Sequence, residues 1–249
     1  MDSFEVDLEL KANEFRQQNG LNPTEAIRLK SMLLRNNILS VFLPLNPDFS
    51  GMAIKINGEK AAKRFMLVNC THTLGRQHFT ICHELYHLYI QENFKSEKTG
   101  IISFEKQGDP EEYKANIFAS YLLLPTNGIL QMIPDVERKK NKITLKTILA
   151  IEQYYSSSRS ALLTRLLRMG LIDKTLQLHY SGDKIKNAML YGFPTDLYQA
   201  GNEGLVIGNY GTFARELFDK GVVSESSYFS LLEDIGIDLS DFDNKTDNE

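Results

Sequence analysis

One short run in this chain has residue types and spacing that could do chemistry. It is His83-Glu84-Leu85-Tyr86-His87, inside the stretch RQHFTICHELYHLYI from Arg76 to Ile90. Residues four apart share a face of a helix, so His83 and His87 can turn ring nitrogens toward one ion while Glu84, one step round, reaches a water bound there. Zinc hydrolases commonly hold the ion with three protein ligands and keep a fourth position for water, whose pKa falls to about 7. A carboxylate beside that water takes its proton as it attacks a carbonyl. Two helix histidines at this spacing also arise by chance, so the reading needs a third ligand.

The segment PEEYKANIFASYLLLP, beginning at Pro110, supplies candidates in Glu111 and Glu112. The separation of 25 residues from His87 to Glu112 leaves room for a loop and a returning helix. Glu112 would complete a His/His/Glu set, and Asn116, one turn later, could orient a ligand from behind. Glu111 is the neighbour that spacing does not exclude. Arg76 and Thr80 fall on the same helical face as His83 and Glu84, where they either fix the ligands, contact a substrate or simply pack. Tyr86, His72 and His78 lie off that face and read as packing or ordinary histidines, and Cys82 as a small buried hydrophobe.

The elements that must position these residues are legible around them. Val6 to Asn37 looks helical with a break at NGLNP, the second piece starting at an Asn22 cap and Pro23. ILSVFLPL, GMAIKIN and KRFMLVN are short β-branched or aromatic runs separated by Pro, Asn and Gly, which argues for a small sheet. The Arg76–Ile90 stretch then returns to helix. After the loop KSEKTGIISFEKQGDP, Pro110 and Pro125 bracket a mostly buried helix. The order helix–sheet–helix–loop–helix is an α+β unit.

With both elements on the page the sequence resembles the ImmA/IrrE family of metallopeptidases. That family pairs an R-x-x-F-T-x-x-H-E-x-x-H helix with an E-x-x-A-N-x-F-A-x-x-L-L-x-P helix. Arg76, Phe79, Thr80, His83, Glu84 and His87 match the first; Glu112, Ala115, Asn116, Phe118, Ala119, Leu122, Leu123 and Pro125 match the second. The resemblance covers residues 10–132 well and 143–172 more loosely. It implies a zincin-like fold of the gluzincin kind, one Zn2+ per chain held by His83, His87 and Glu112, and Glu84 as general base. It also implies a protein substrate, often a helix-turn-helix transcriptional repressor or an antitoxin, cut to switch on a stress response or the genes of a mobile element.

We therefore expect a zincin-like metallopeptidase domain over 1–133, with PDVERKKNK (Pro134 to Lys142) as a linker. ITLKTILAIEQYY and SRSALLTRLLRMGLI follow as a helix-turn-helix-like segment over 134–175, with Gly170 as its helix stop. Residues 136–172 hold eight Lys/Arg against two Glu, a local charge of 8 − 2 = +6 on a chain of −4. Arg159, Arg165 and Arg168 on the second helix are the candidates for DNA or partner contact. Docking of a protein substrate or bracing of the first domain competes with DNA binding for this segment.

Residues 176–249 form a region of unknown role. It includes a helix at GTFARELFDKG, His179 without a nameable partner, and an acidic end with seven Asp/Glu against one Lys over 233–249. Two cysteines are too few for a disulfide scaffold and fit a reducing compartment. The charged N-terminus has no signal-peptide core, and no apolar run is long enough to span a bilayer, so the expectation is a cytoplasmic protein with no membrane contact. The competing function is a non-catalytic DNA-binding regulator or toxin–antitoxin component with a structural zinc. An intact Glu84 weighs against it, because a structural ion needs no general base.

Overall fold

The apolar alternation of ILSVFL, GMAIKI and KRFMLVN produces strands β1 (Ile38–Leu43), β2 (Gly51–Ile56) and β3 (Lys63–Asn69). In β1 the period of two sends Ile38, Ser40 and Phe42 inward. The computed structural model describes residues 3–57, 62–92, 94, 98–99, 109–233 and 235. Two-residue strands β4 (Lys98–Thr99) and β5 (Val206–Ile207) complete a sheet of order β4-β2-β3-β1-β5. β1 runs parallel to β3 with Val41 opposite Leu67, whereas β2 is antiparallel to β3 with Ala53 opposite Met66.

Helices α1 (Ser3–Gln18) and α2 (Leu29–Arg35) precede the sheet. The second is shorter than expected. Asn22 does cap, but its carboxamide oxygen accepts from the backbone of Thr24 and Glu25 and closes a turn rather than starting a helix. The buried Arg16 guanidinium holds that turn down by donating to the carbonyls of Asn22 and Glu25, and it reaches Leu122 O at 2.7 Å. The helix therefore begins at Leu29.

Helices α3 (Leu74–Tyr89) and α4 (Pro110–Leu123) are the motif-bearing pair, packed on each other, with α1 against α4. α4 starts as the sequence predicts, with Pro110 in its first turn and the Asp109 carboxylate accepting from Glu111 N. Entry to α3 is fixed by buried Asn69. Its amide donates to Asn46 O and Phe49 O, and its oxygen accepts from the Leu45 and Thr71 N–H groups. One hydrophobic cluster joins Phe15 of α1, Phe42 of β1, Phe79 and Leu85 of α3, and Phe118 and Leu122 of α4.

That cluster does not stop at Pro134. After α5 (Thr126–Met132), helices α6 (Leu145–Tyr155) and α7 (Arg159–Arg168) add Ile148, Ile151, Leu162 and Leu166 to it. Gly75, in the first turn of α3, lets the α6–α7 turn lie flush against the motif helix, since a Cβ there would sit 2.8 Å from Ser158 N. Gly170 takes φ 70° after α7, as a helix stop requires.

The basic outer face expected on α7 needs correction. Arg159 is buried and paired with equally buried Glu152. Arg165 is buried over the Tyr121 ring, with its guanidinium donating to Leu124 O and Thr126 Oγ1. Arg168 pairs with Glu5 at 2.6 Å. Arg159 and Arg165 are therefore turned into the protein, whereas Arg168 and Glu5 pair at its surface, with side chains 22% and 18% exposed. The amphipathic pattern that suggested a basic surface arises because guanidinium groups, unlike most charges, are buried readily once forked onto carbonyls and carboxylates.

Beyond α7, α8 (Lys174–Ser181) and α9 (Lys184–Leu190) are followed by a strap that ties back to the motif helix. Gln199 O accepts from Leu74 N, and the buried Gln77 side chain donates to Gly201 O and accepts from Asn202. β5 then adds to the free edge of β1, with Val206 opposite Val41. Helices α10 (Tyr210–Asp219) and α11 (Glu225–Glu233) form a terminal hairpin, the first covering the predicted GTFARELFDKG. Most of the acidic end, from 236 on, and most of the loop before α4 lie outside the described residues. Among the described residues no helix is long and apolar enough to cross a membrane.

Candidate metal centre

α3 and α4 bring His83, His87 and Glu112 to one point. The two Nε2 atoms lie 3.0 Å apart, and the Glu112 oxygens lie 3.1 Å from His83 Nε2 and 3.3 Å from His87 Nε2. Potential ligand atoms of all three lie within 4.8 Å of one another. The choice left open between neighbouring glutamates is decided by the α4 face. Glu111 turns away, accepting from Tyr86 Oη at 2.8 Å and pairing with Lys114. Glu112 points inward.

The hydrogen bonds behind the rings decide what the centre can hold. Asn116 Oδ1 sits 2.8 Å from His83 Nδ1, and Gln91 Oε1 sits 2.6 Å from His87 Nδ1. Amide oxygens only accept, so in the neutral imidazoles each Nδ1 carries the proton and each Nε2 presents a lone pair. Two lone pairs and a carboxylate therefore face one another in a buried space. Such a set repels itself unless a cation sits among the donors, and N, N, O donors suit zinc. The residues fit the ion.

Electrostatics agree with that view. Burial by itself pushes the His87 pKa down, but the Glu112 hydrogen bond, the Glu84 charge and Gln91 outweigh it, and the net movement is upward from the ordinary imidazole value. Burial pushes Glu112 up, yet its bonds to His83 and His87 hold it down to about 2. The carboxylate is thus ionised at any working pH.

Glu84 lies in the same turn and is fully buried. Gly51 at the start of β2 makes room for it: a Cβ there would meet Thr80 Cγ2 at 2.7 Å, Leu67 O at 2.9 Å and Glu84 Oε1 at 3.5 Å. Thr80 is thereby wedged between α3 and β2, buried, with an Oγ1 that has no hydrogen-bond partner among the described residues. Arg76 reaches over the same strand end to Ser50 Oγ at 2.9 Å.

The remaining histidines stay apart from the centre. His72 Nε2 pairs with Pro47 O and His78 Nδ1 with Ser156 O, both at 2.8 Å. His179 is exposed on α8. Cys82 is buried in the core, where burial pushes its thiol pKa up and keeps it neutral. Tyr86 packs against Phe118 and His87 as well as bonding Glu111. Gln91 and Phe94, whose ring stacks on His87 with centroids 5.5 Å apart, were not singled out by the sequence. Helical periodicity gave no signal for either, because both lie beyond the end of α3.

An imidazole pair and a carboxylate from two packed helices, set against a small mixed sheet, define a zincin-like metallopeptidase domain. Residues 43–167 match the peptidase M78 family, described as the IrrE N-terminal-like domain, and the chain belongs to that family. The match runs through α7, in keeping with the continuous core. Comparison with curated proteins gives no match.

Proposed function

We propose that the chain is a zinc-dependent endopeptidase that cuts a specific partner protein. The observation that carries this reading is the converging set of two Nε2 lone pairs and the Glu112 carboxylate, with the Glu84 carboxylate buried one residue from a ligand. The Glu112 side chain is 29% exposed, whereas His83 and His87 are at 0% and 2%. The donor set is therefore open on one side, as a catalytic site needs and a closed structural site does not.

When bound, zinc would supply Lewis acidity to a scissile carbonyl and lower the pKa of an attacking water. The chain's own residues do the rest. Glu84 takes the proton from the attacking water on its carboxylate and later delivers it to the leaving amine nitrogen. Asn116 and Gln91 keep the two imidazole lone pairs turned inward. Thr80 and Gly51 hold α3 against β2, so that Glu84 keeps its place beside the ligands.

The resemblance to the ImmA/IrrE pattern suggests a helix-turn-helix repressor or antitoxin as substrate. The alternative of DNA binding by the chain itself draws less on α7, since Arg159 and Arg165 are buried and Arg168 is paired with Glu5. The test is co-expression with a helix-turn-helix regulator encoded beside the gene, comparing wild type with Glu84→Ala and measuring zinc in both purified proteins. Cleavage by wild type alone, with zinc in both, is the expected result. Zinc in neither protein would end the metallopeptidase reading; zinc in both with an intact regulator would redirect the search to another substrate.

A further inference from the structure

The two histidines are held from behind by different parts of the fold. His83 is braced by Asn116, which arrives from α4 and is 33 residues away. His87 is braced from its own helix end. Ile90 N and Gln91 N both bond Tyr86 O, at 2.8 and 3.0 Å, so the chain wraps tightly round the last turn of α3. That wrap folds the Gln91 side chain back beneath His87, leaving Oε1 2.6 Å from Nδ1. Phe94 then covers the other side of the ring, its plane 27° from that of the imidazole.

We infer that Gln91 is the positioning residue for the second metal ligand. It fixes His87 in the tautomer whose Nε2 lone pair faces the donor centre, and Phe94 stops the ring from turning out. This inference rests on the metal-site reading above. Its physical basis is the near-equality of the two neutral imidazole tautomers: the one with its proton on Nε2 would aim N–H at the centre and exclude a cation. Because His87 is 2% exposed, bulk water does not readily replace a lost acceptor behind it. Glu84 and Glu112 already bring two negative charges to balance a divalent ion, and a neutral acceptor orients His87 without adding a third.

The experiment compares wild type with Gln91→Met, which keeps the length of the side chain and loses the acceptor, and with Gln91→Glu, which keeps an acceptor. Glu112→Gln serves as the metal-free control. Zinc affinity is measured by competition with a chromophoric chelator, and the urea midpoint of each metal-free protein reports the fold. Outer partners of metal-bound histidines typically contribute 10–100-fold in affinity, so Gln91→Met is expected to bind zinc about 10–100-fold more weakly at an unchanged metal-free midpoint. Gln91→Glu should bind at least as tightly as wild type. A slowly exchanging His87 Nδ1–H resonance in the zinc-loaded protein should be present in wild type and Gln91→Glu and lost in Gln91→Met.

Equal zinc affinity and an unchanged imidazole resonance in Gln91→Met would overturn the inference while leaving the metal site standing. Failure of wild type to bind zinc would overturn both. A lowered midpoint in Gln91→Met, with affinity restored in neither variant, would make Gln91 a packing residue and also overturn it.

Discussion

Two polar clusters in this protein are built on opposite principles. One is Glu152, Arg159 and Tyr198. Both Glu152 oxygens accept from the Arg159 guanidinium at 2.5 and 2.7 Å, Arg159 also donates to Tyr180 O, and the Tyr198 hydroxyl donates to Glu152. Donors there meet acceptors and the charge closes on itself. The other is His83, His87 and Glu112, where acceptors meet acceptors. Burial is the same in kind, and the difference lies in the pairing. A buried group with its partner present braces the fold; lone pairs aimed at one another make a place that suits a cation.

The comparison breaks first at Glu84. Glu84→Gln keeps the shape and removes the base, so turnover of a cleaved partner should fall by about 10²–10⁴-fold. Zinc content and thermal midpoint should stay near wild type; a variant that still cleaves would remove Glu84 from the chemistry. Glu152→Ala should do the reverse. It leaves the Arg159 charge buried without its carboxylate and should cost about 3–5 kcal/mol in urea unfolding. Zinc bound per folded molecule should not change. A loss of zinc in proportion to stability would show that the two clusters are one.

Gly51→Ala probes the contact between α3 and the sheet. Its Cβ would be 2.9 Å from the fixed Leu67 carbonyl and 2.7 Å from Thr80 Cγ2. Overpacking of this kind costs about 1–3 kcal/mol. Adding Thr80→Ser, which deletes that methyl, should recover part of the loss; no recovery would locate the strain at Leu67 O instead.

The smallest effect is alkaline. Burial and the neighbouring Glu152 push the Tyr198 hydroxyl up from 10.0 to about 12. A folded pKa above the unfolded one gives stability that is complete below about pH 10 and is lost as pH rises through about 12. Tyr198→Phe, compared with wild type across that window, should lose stability less steeply. Parallel curves would mean that Tyr198 contributes no pH dependence.

The motif helices were readable because their demands are local. H-E-x-x-H needs only a helical repeat, and the Asp109–Pro110 start of α4 needs only capping chemistry. The strands followed from alternation bounded by Pro, Asn and Gly. Where the reading failed, a distant partner decided. Residues 22–25 form a turn because Arg16 collects the Asn22 and Glu25 carbonyls, and the core runs across Pro134–Lys142, with Ile133 and Ile143 on either side buried in it. The α7 arginines face inward because Glu152, Tyr121, Leu124 and Glu5 wait there, and no periodicity reveals such partners.

The sequence by itself determined that His83, Glu84 and His87 share a helix face and that a glutamate on a following helix could join them. It also determined the α+β order of elements. Only the tertiary structure decided that Glu111 turns away to Tyr86 and Lys114, that Asn116 and Gln91 set both lone pairs inward, and that residues 199–207 lock the motif helix to the sheet. The reason is physical. Helical and strand periodicity is fixed by the backbone over a few residues, whereas the pairing of a buried polar group depends on which distant side chain packing brings within about 3 Å.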